Sequence, residues 1–344
     1  MKKHMNVPVF IPHLGCPNGC VFCNQKKISG RAGFDRASVR AELDRAFATI
    51  EGTVPVQIAY FGGSFTGINR EDMVYLLQVA REYIDAGKCE SVRISTRPDY
   101  ISDEILDILW EYGVRDVELG IQSMDDSVLS ACKRGHRAAD SLRAAALVKA
   151  HGFALVGQMM VGLPASTAES ERKTAKAICD MGADGARIYP AVVFSDTALA
   201  DMMKSGAYEP LTEESSILRA ENALSVFIKS GVPVIRIGLQ SGETLSSKEN
   251  VLAGGYHPAV GELAYGLYFR NLLDDLLREK QTAGKFAFIS VCSSDISKVI
   301  GQRGENRRYL TEKYALRGIK VIPDDVLKKY TLRLRLSEMP QGKN

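Results

Sequence analysis

From residue 1 to about 240 the hydrophobic pattern keeps changing period. Short apolar runs rich in β-branched and aromatic residues, "VPVF" (7–10), "VQIAYFGG" (56–63), "SVRIST" (91–96), "DVELGIQS" (116–123), "ALVGQMMVGLP" (154–164) and "GARIYPAVV" (185–193), read as strands. Between them apolar residues recur every three or four positions, which predicts helices at roughly 36–49, 70–87, 102–113, 125–133, 138–151 and up to about Met181. Ser102 is a predicted N-cap, and Gly87 and Gly113 are predicted stops. Strands alternating with helices require right-handed crossovers and a parallel sheet. The fold class predicted is α/β, a partial (β/α)6 TIM-like barrel.

Beyond residue 195 the pattern turns mostly helical, with "LTEESSILRAENALSVFIKSG" and "AVGELAYGLYFRNLLDDLLREK" on either side of one more apolar run, "VIRIGLQSGE". The last sixty residues differ again. "KFAFISVC" is an alternating strand, and "SDISKVIGQRGENRRYLTEKYA" reads as helix, tight turn, helix. "IKVIPDD" and "YTLRLRL" are two further strands. Strand, helix, G-x-x-G, helix, strand, strand is the order of a small α+β KH-like module, in which a glycine loop lets backbone amides approach nucleic-acid phosphates. The alternative is an ordinary turn between helices in a structural cap. The domains are therefore set at 1–240 (barrel), 241–284 (helical extension) and 285–344 (KH-like module). The RNA-facing candidates are Gly301, Gln302, Arg303, Gly304, Arg307 and Arg308.

Charge supports that division. The whole chain carries only +3, but residues 285–344 hold 13 basic and 6 acidic side chains, a net of +7, leaving −4 for the rest. A basic end on a near-neutral body is the asymmetry expected of a polyanion partner. The opening residues are interrupted by Pro8 and Pro12 before any apolar run develops, and no stretch approaches the ~20 apolar residues of a membrane span. A cytoplasmic protein with reduced thiols is expected, with no membrane or DNA partner.

Seven cysteines are present. Cys89, Cys132, Cys179 and Cys292 are scattered and read as small buried or half-buried side chains. Cys16, Cys20 and Cys23 crowd into "CPNGCVFC". Three thiolates suit a four-iron cluster with one iron left open, or a closed zinc site if His13 supplies a fourth ligand. The glycine-rich strand ends favour the cluster. In a parallel sheet, ligands gather at the carboxyl ends of the strands. The cysteines follow the first strand, Gly62, Gly63 and Ser64 the second, Pro98 and Asp99 the third, and Gln122 and Ser123 the fourth. Glu118 and Asp99 are read as polar contacts of this pocket, the alternative being charges at the sheet edge. Tyr189 and Pro190 are equally core or substrate-facing, His257 is read as structural, and Met159 and Met160 as core.

The set "CPNGCVFC", "AYFGGSFTGI", "STRPDYIS", "VELGIQSMDDSVLSACKRGH", "MMVGLP" and "RIYPAVVFSDTALADMMKSGAYEPLT" resembles radical S-adenosylmethionine enzymes over about residues 16–215. It is most like the radical domain of the elongator catalytic subunit family and more distantly like anaerobic coproporphyrinogen dehydrogenase. The resemblance implies a [4Fe–4S] cluster on Cys16, Cys20 and Cys23, with S-adenosylmethionine on its open iron. It also implies cofactor contacts from Phe22, Gly62, Gly63, Ser64, Ser95, Gln122, Arg134 and Gln158, Arg134 being the natural carboxylate partner. It further implies an external electron donor such as flavodoxin or ferredoxin. The chain departs from the elongator pattern in its C-x3-C spacing, and in Ser95 where relatives carry Glu. Its last ~100 residues read as helices and a KH-like tail rather than an acetyltransferase domain. RNA modification is the function expected. The alternatives are radical chemistry on a small molecule and a non-catalytic RNA-binding iron–sulfur protein.

Overall fold

Six predicted strands form where the apolar runs lie. In the computed structural model, which describes residues 5–11, 14–16, 19–25, 28, 34–51, 54–240, 245, 247 and 249–339, they are β1 (Met5–Phe10), β2 (Val56–Phe61), β3 (Ser91–Thr96), β4 (Val114–Gln122), β5 (Ala154–Val161) and β6 (Gly185–Pro190). They pair in chain order, each parallel to the next. The run 185–193 divides. After Pro190 the chain leaves the sheet, and β7 (Val192–Phe194) pairs antiparallel with β9 (Val251–Gly254), a strand the pattern did not predict. The sheet instead gains a seventh member, β8 (Val234–Ile237), beside β6. The expected six-stranded wall is thus a curled, seven-stranded parallel half-barrel. A four-residue run is too short for its period to say which sheet it joins.

The crossovers are α1 (Val39–Ala48), α2 (Arg70–Asp85), α3 (Asp103–Glu111), α4 (Asp126–Ala131), α5 (Ala138–Ala150) and α6 (Ala168–Asp180), followed by α7 (Ala198–Lys204) and α8 (Glu213–Lys229). Ser102 caps α3 as predicted, its hydroxyl accepting from the Ile105 N–H at 3.4 Å. The side-chain alternation of the strands sorts the two faces. Val92, Ile94, Val117, Leu119, Ile121, Ala186 and Ile188 are fully buried against the helices. Arg93, Ser95, Glu118 and Arg187 occupy the intervening positions and face the concave side. The core therefore lies outside the half-barrel, and its inner face is polar.

The tail forms a separate three-stranded sheet. β10 (Phe286–Val291) is central, parallel to β11 (Gly318–Pro323) and antiparallel to β12 (Leu332–Ser337). α10 (Ile296–Ile300) and α11 (Glu305–Lys313) flank the glycine loop. The long helix α9 (Val260–Leu277) serves both cores. Its Val260 and Ala264 pack into the barrel's core, and its Phe269, Leu273 and Leu277 into that of the tail. Among the described residues no helix is long and apolar enough to cross a membrane.

Candidate functional site

The cysteine loop leaves β1 and is clamped onto the end of β2. Ser64 N–H donates to the Leu14 carbonyl at 2.9 Å. A Cβ on Gly63 would lie 2.1 Å from that carbonyl oxygen and 2.6 Å from the Ile11 oxygen. A Cβ on Gly15, whose φ is +69°, would lie 2.2 Å from the Ser64 oxygen. These glycines exist because two backbones touch there. The Ser64 hydroxyl is committed to Thr96 Oγ1 at 2.9 Å and to the Arg97 N–H at 3.2 Å, which fastens the β2 and β3 ends together. Phe22 packs on a small cluster that includes Val21, Val128 and Cys132, and the Val21 N–H donates to the Cys132 carbonyl.

Arg134 comes from the turn after α4 to the same place. Its Nη1 donates to Cys20 Sγ at 3.4 Å and its Nη2 to the Gly120 carbonyl at 2.7 Å, while Nε has no partner. Gly120 permits this approach, since a Cβ there would meet Nη2 at 2.8 Å. Gln122 ends β4 with φ +66°, beside a register shift, and its Oε1 is buried without a partner. A non-glycine residue held in the left-handed region at a strand end is the kind of local strain that marks functional sites. Arg97, 2 % exposed, grips Asp99 through two bonds of 2.9 and 2.8 Å and leaves Nη1 unpartnered. Burial pushes the Asp99 carboxyl up, but the Arg97 hydrogen bonds and charge together outweigh it and hold it below its ordinary value. Burial and then the Arg134 charge lower the His136 imidazole to about 4, so it is neutral at pH 7.

Deeper in the half-barrel, Glu118 is fully buried and is not an edge charge. It accepts from Arg93 Nη1 and Arg187 Nη2, both at 3.0 Å, from Gln158 Nε2 at 2.7 Å and from Ser95 Oγ at 3.4 Å. Ser95 and Gln158 are thus brought together on one carboxylate. Arg93, Arg97 and Arg187 were missed as site residues. The signal was present, since each is a lone arginine in or directly after an apolar strand run. Their partners depend on strand register, which the sequence does not print. His257 Nδ1 accepts the Ala259 N–H at 3.0 Å and its Nε2 lies 3.8 Å from Glu213, while Met159 lies in the core.

The donor set suits a soft cluster. Burial pushes the Cys23 thiol up to about 12, aided by Cys20 and Cys16, and burial also raises Cys16. Such thiols stay protonated at neutral pH until a cationic centre takes the proton's place. A zinc site would bring thiolates within roughly 4 Å of one another, whereas a four-iron cluster assigns each cysteine its own iron. His13 lies outside the described residues. Arg134 Nε and Gln122 Oε1 are buried with no hydrogen-bond partner, so both keep capacity for a polar ligand.

In the tail, Gly301 and Gly304 have φ of +77° and +76°, and Arg303 is also left-handed at +52°. A Cβ on Gly301 would meet Asn306 at 2.9 Å, while one on Gly304 would meet only the Arg308 tip at 3.7 Å. Asn306, buried, donates to the Gly266 carbonyl of α9 at 2.7 Å. Gln302, Arg303, Arg307 and Arg308 are exposed.

The chain is similar in sequence and fold to known proteins. A model described as the Radical SAM superfamily matches residues 10–178, and one described as the Radical_SAM C-terminal domain matches residues 183–266. A "tRNA uridine(34) acetyltransferase" of Methanocaldococcus infernus is 36% identical over 145 residues, 41% of this chain and 27% of that protein. The chain thus spans about a quarter of that relative's length. An uncharacterized protein of Methanocaldococcus jannaschii is 28% identical over 228 residues, 63% of this chain and 70% of its own length. The solved structure of the Methanocaldococcus infernus Elp3 with an N-terminal deletion superimposes with a TM-score of 0.63 at 26% identity, covering 79% of this chain and 64% of that one. With matching models over most of its length and three cysteines at the strand ends of a parallel half-barrel, the chain belongs to the radical S-adenosylmethionine superfamily, enzymes that work with a [4Fe–4S] cluster and S-adenosylmethionine.

Proposed function

We propose that this enzyme modifies RNA, most simply a transfer RNA, by hydrogen abstraction at the mouth of the half-barrel. Cys16, Cys20 and Cys23 hold the cluster. Arg134 and Gln122 offer their free Nε and Oε1 to S-adenosylmethionine, Gly62 and Gly63 offer backbone carbonyls, and Phe22, Ser95 and Gln158 complete the cofactor's surroundings. Ser64, already bonded to Thr96 and Arg97, keeps the strand ends in place. The chemistry supplied there, once both cofactors are bound, is one-electron cleavage of a carbon–sulfur bond to methionine and a 5′-deoxyadenosyl radical that takes hydrogen from a substrate. The electron comes from an external donor such as flavodoxin or ferredoxin, and the oxygen-sensitive centre fits a reducing cytoplasm.

The observation that carries the RNA reading is the position of α9. Val260 packs against Gly238, the residue after β8, where a Cβ would meet Val260 Cγ1 at 2.2 Å. Gly266 faces Gly301 and Asn306. Six residues of helix rise about 9 Å, so the glycine loop sits less than two turns from the carboxyl end of the last barrel strand. RNA held there is delivered to the mouth. The name of the acetyltransferase relative agrees in substrate class; acetyl transfer is not part of the reading.

The test is anaerobic reconstitution with iron and sulfide, followed by quantification of 5′-deoxyadenosine with and without total small RNA. Acceleration by RNA is expected. Cleavage indifferent to RNA sinks the RNA substrate and leaves a small molecule; a fully loaded protein that makes no deoxyadenosine sinks the radical chemistry. Cys20→Ala is expected to load little iron and cleave nothing. Gly304→Asp is the better probe of the loop than Gly301→Asp, because its Cβ has space and Asp tolerates the left-handed region. It is expected to weaken RNA binding at full iron content.

A further inference from the structure

β12 alternates leucine with arginine. Leu332, Leu334 and Leu336 pack into the tail's core with residues of α9, α10 and α11, so Arg333 and Arg335 project from the opposite face of the sheet. The register sets Arg335 and Lys320 on either side of Phe288, and Arg333 and Ile322 on either side of Ser290. Lys320, Arg333 and Arg335 are exposed, and the Arg335 guanidinium lies 4.8 Å above the Phe288 ring. Arg333 has Asp324 at 3.6 Å. Among the described residues Lys320 and Arg335, with Lys285 and Arg317 at the strand starts, form no ion pair. Like charges gathered on one sheet face repel each other, which works against what the Arg335–Phe288 and Arg333–Asp324 contacts contribute.

Charge on an edge strand often serves only to deter pairing with another chain. Here the cations are of one sign and continue beyond the face. Around the β11 edge, Arg307 and Arg308 of α11 line a groove of about 370 Å³ together with Thr311, Glu312, Gly318 and Ile319, two cations to one carboxylate. Arg303 follows in the glycine loop, where its carbonyl accepts from Arg308 Nη1 at 2.6 Å. A path with basic residues in excess thus runs from the loop, along the groove, over the β11 edge and onto the outer sheet, with Glu312 and Asp324 as the acidic groups beside it.

We infer that RNA held at the glycine loop continues across the β11 edge, its phosphates bound by Lys320, Arg333 and Arg335 on the outer sheet face. This rests on the RNA reading above. Flexible cations of this kind fix the track of the backbone without reading bases, so the face provides affinity and direction while sequence choice stays elsewhere.

The test is Arg333→Glu with Arg335→Glu in the full-length, cluster-loaded protein. Binding of fluorescein-labelled unfractionated transfer RNA is followed by anisotropy from about 50 to about 300 mM salt. Affinity at low salt is expected to fall at least about tenfold, and the slope of log K against log salt to become shallower by roughly 1.5, since each phosphate contact contributes about 0.7–0.9. Deoxyadenosine formed without RNA is expected to stay at the unsubstituted level. Unchanged affinity and slope, while the unsubstituted protein binds and Gly304→Asp does not, would overturn the sheet path and leave the loop reading standing. An unsubstituted protein that binds no RNA overturns the RNA reading and this path with it.

Discussion

At the scale of single residues, Glu118 organises the inner face of the half-barrel. Two arginines share one of its oxygens, and Gln158 and Ser95 meet the other. A buried ion pair is weak evidence of stability, but removing one partner strands the others without solvent. Glu118→Ala leaves Arg187 buried without a carboxylate, while Arg93 keeps Asp116 at 2.7 Å, and is expected to cost about 3–5 kcal/mol in urea unfolding. Adding Arg187→Met is expected to recover part of that loss; no recovery would mean Glu118 acts through packing alone. Sequence made the charges visible but not their pairing. Arg93, Glu118 and Arg187 lie on three different strands, 25 and 69 residues from Glu118, and only the register joins them. The cysteines were legible for the opposite reason, because their grouping is local.

At the scale of elements, the junction of the cysteine loop with β2 decides whether the site exists. Gly63→Ala would push a methyl group into two carbonyl oxygens on a backbone that cannot swing away as a side chain would. The expected result is an overpacking cost of about 1–3 kcal/mol, near-native far-UV circular dichroism, and loss of most of the iron bound on reconstitution. Full loading would show that the loop yields without disturbing the thiols. Gly62 and Gly63 of "FGGSF" are expected from the resemblance as cofactor contacts; at Gly63 the position a Cβ would take is filled by the protein's own backbone. Strands with strong apolar runs were legible to within a few residues. The β7–β9 ribbon was not, since its two partners are about sixty residues apart and neither is longer than four. Pro190, which has no N–H to donate, ends β6 and allows the chain to leave the sheet there.

At the scale of the whole molecule, α9 is a single helix with two cores. A chain ending at residue 284 would keep the barrel but uncover Phe269, Leu273 and Leu277, all at most 1 % exposed in the complete protein. Poor solubility and strong binding of a hydrophobic dye are expected, and a soluble, dye-silent fragment would show that the tail is independent of that helix. The division at 284 drawn from composition follows the change in charge and pattern. Nothing in the sequence marks that the helix before it belongs to both sides, because an amphipathic period does not say how many partners a helix has.

Among the described residues the sheet order runs from β1 to β8 without β1 and β8 pairing. A closed ring of strands admits only what passes through its end, which for a long polymer means threading a terminus. An open trough can be loaded from the side. For the polymer substrate proposed here, a nucleotide in the middle of a folded strand is as reachable as one at its tip, and no free end has to be found first.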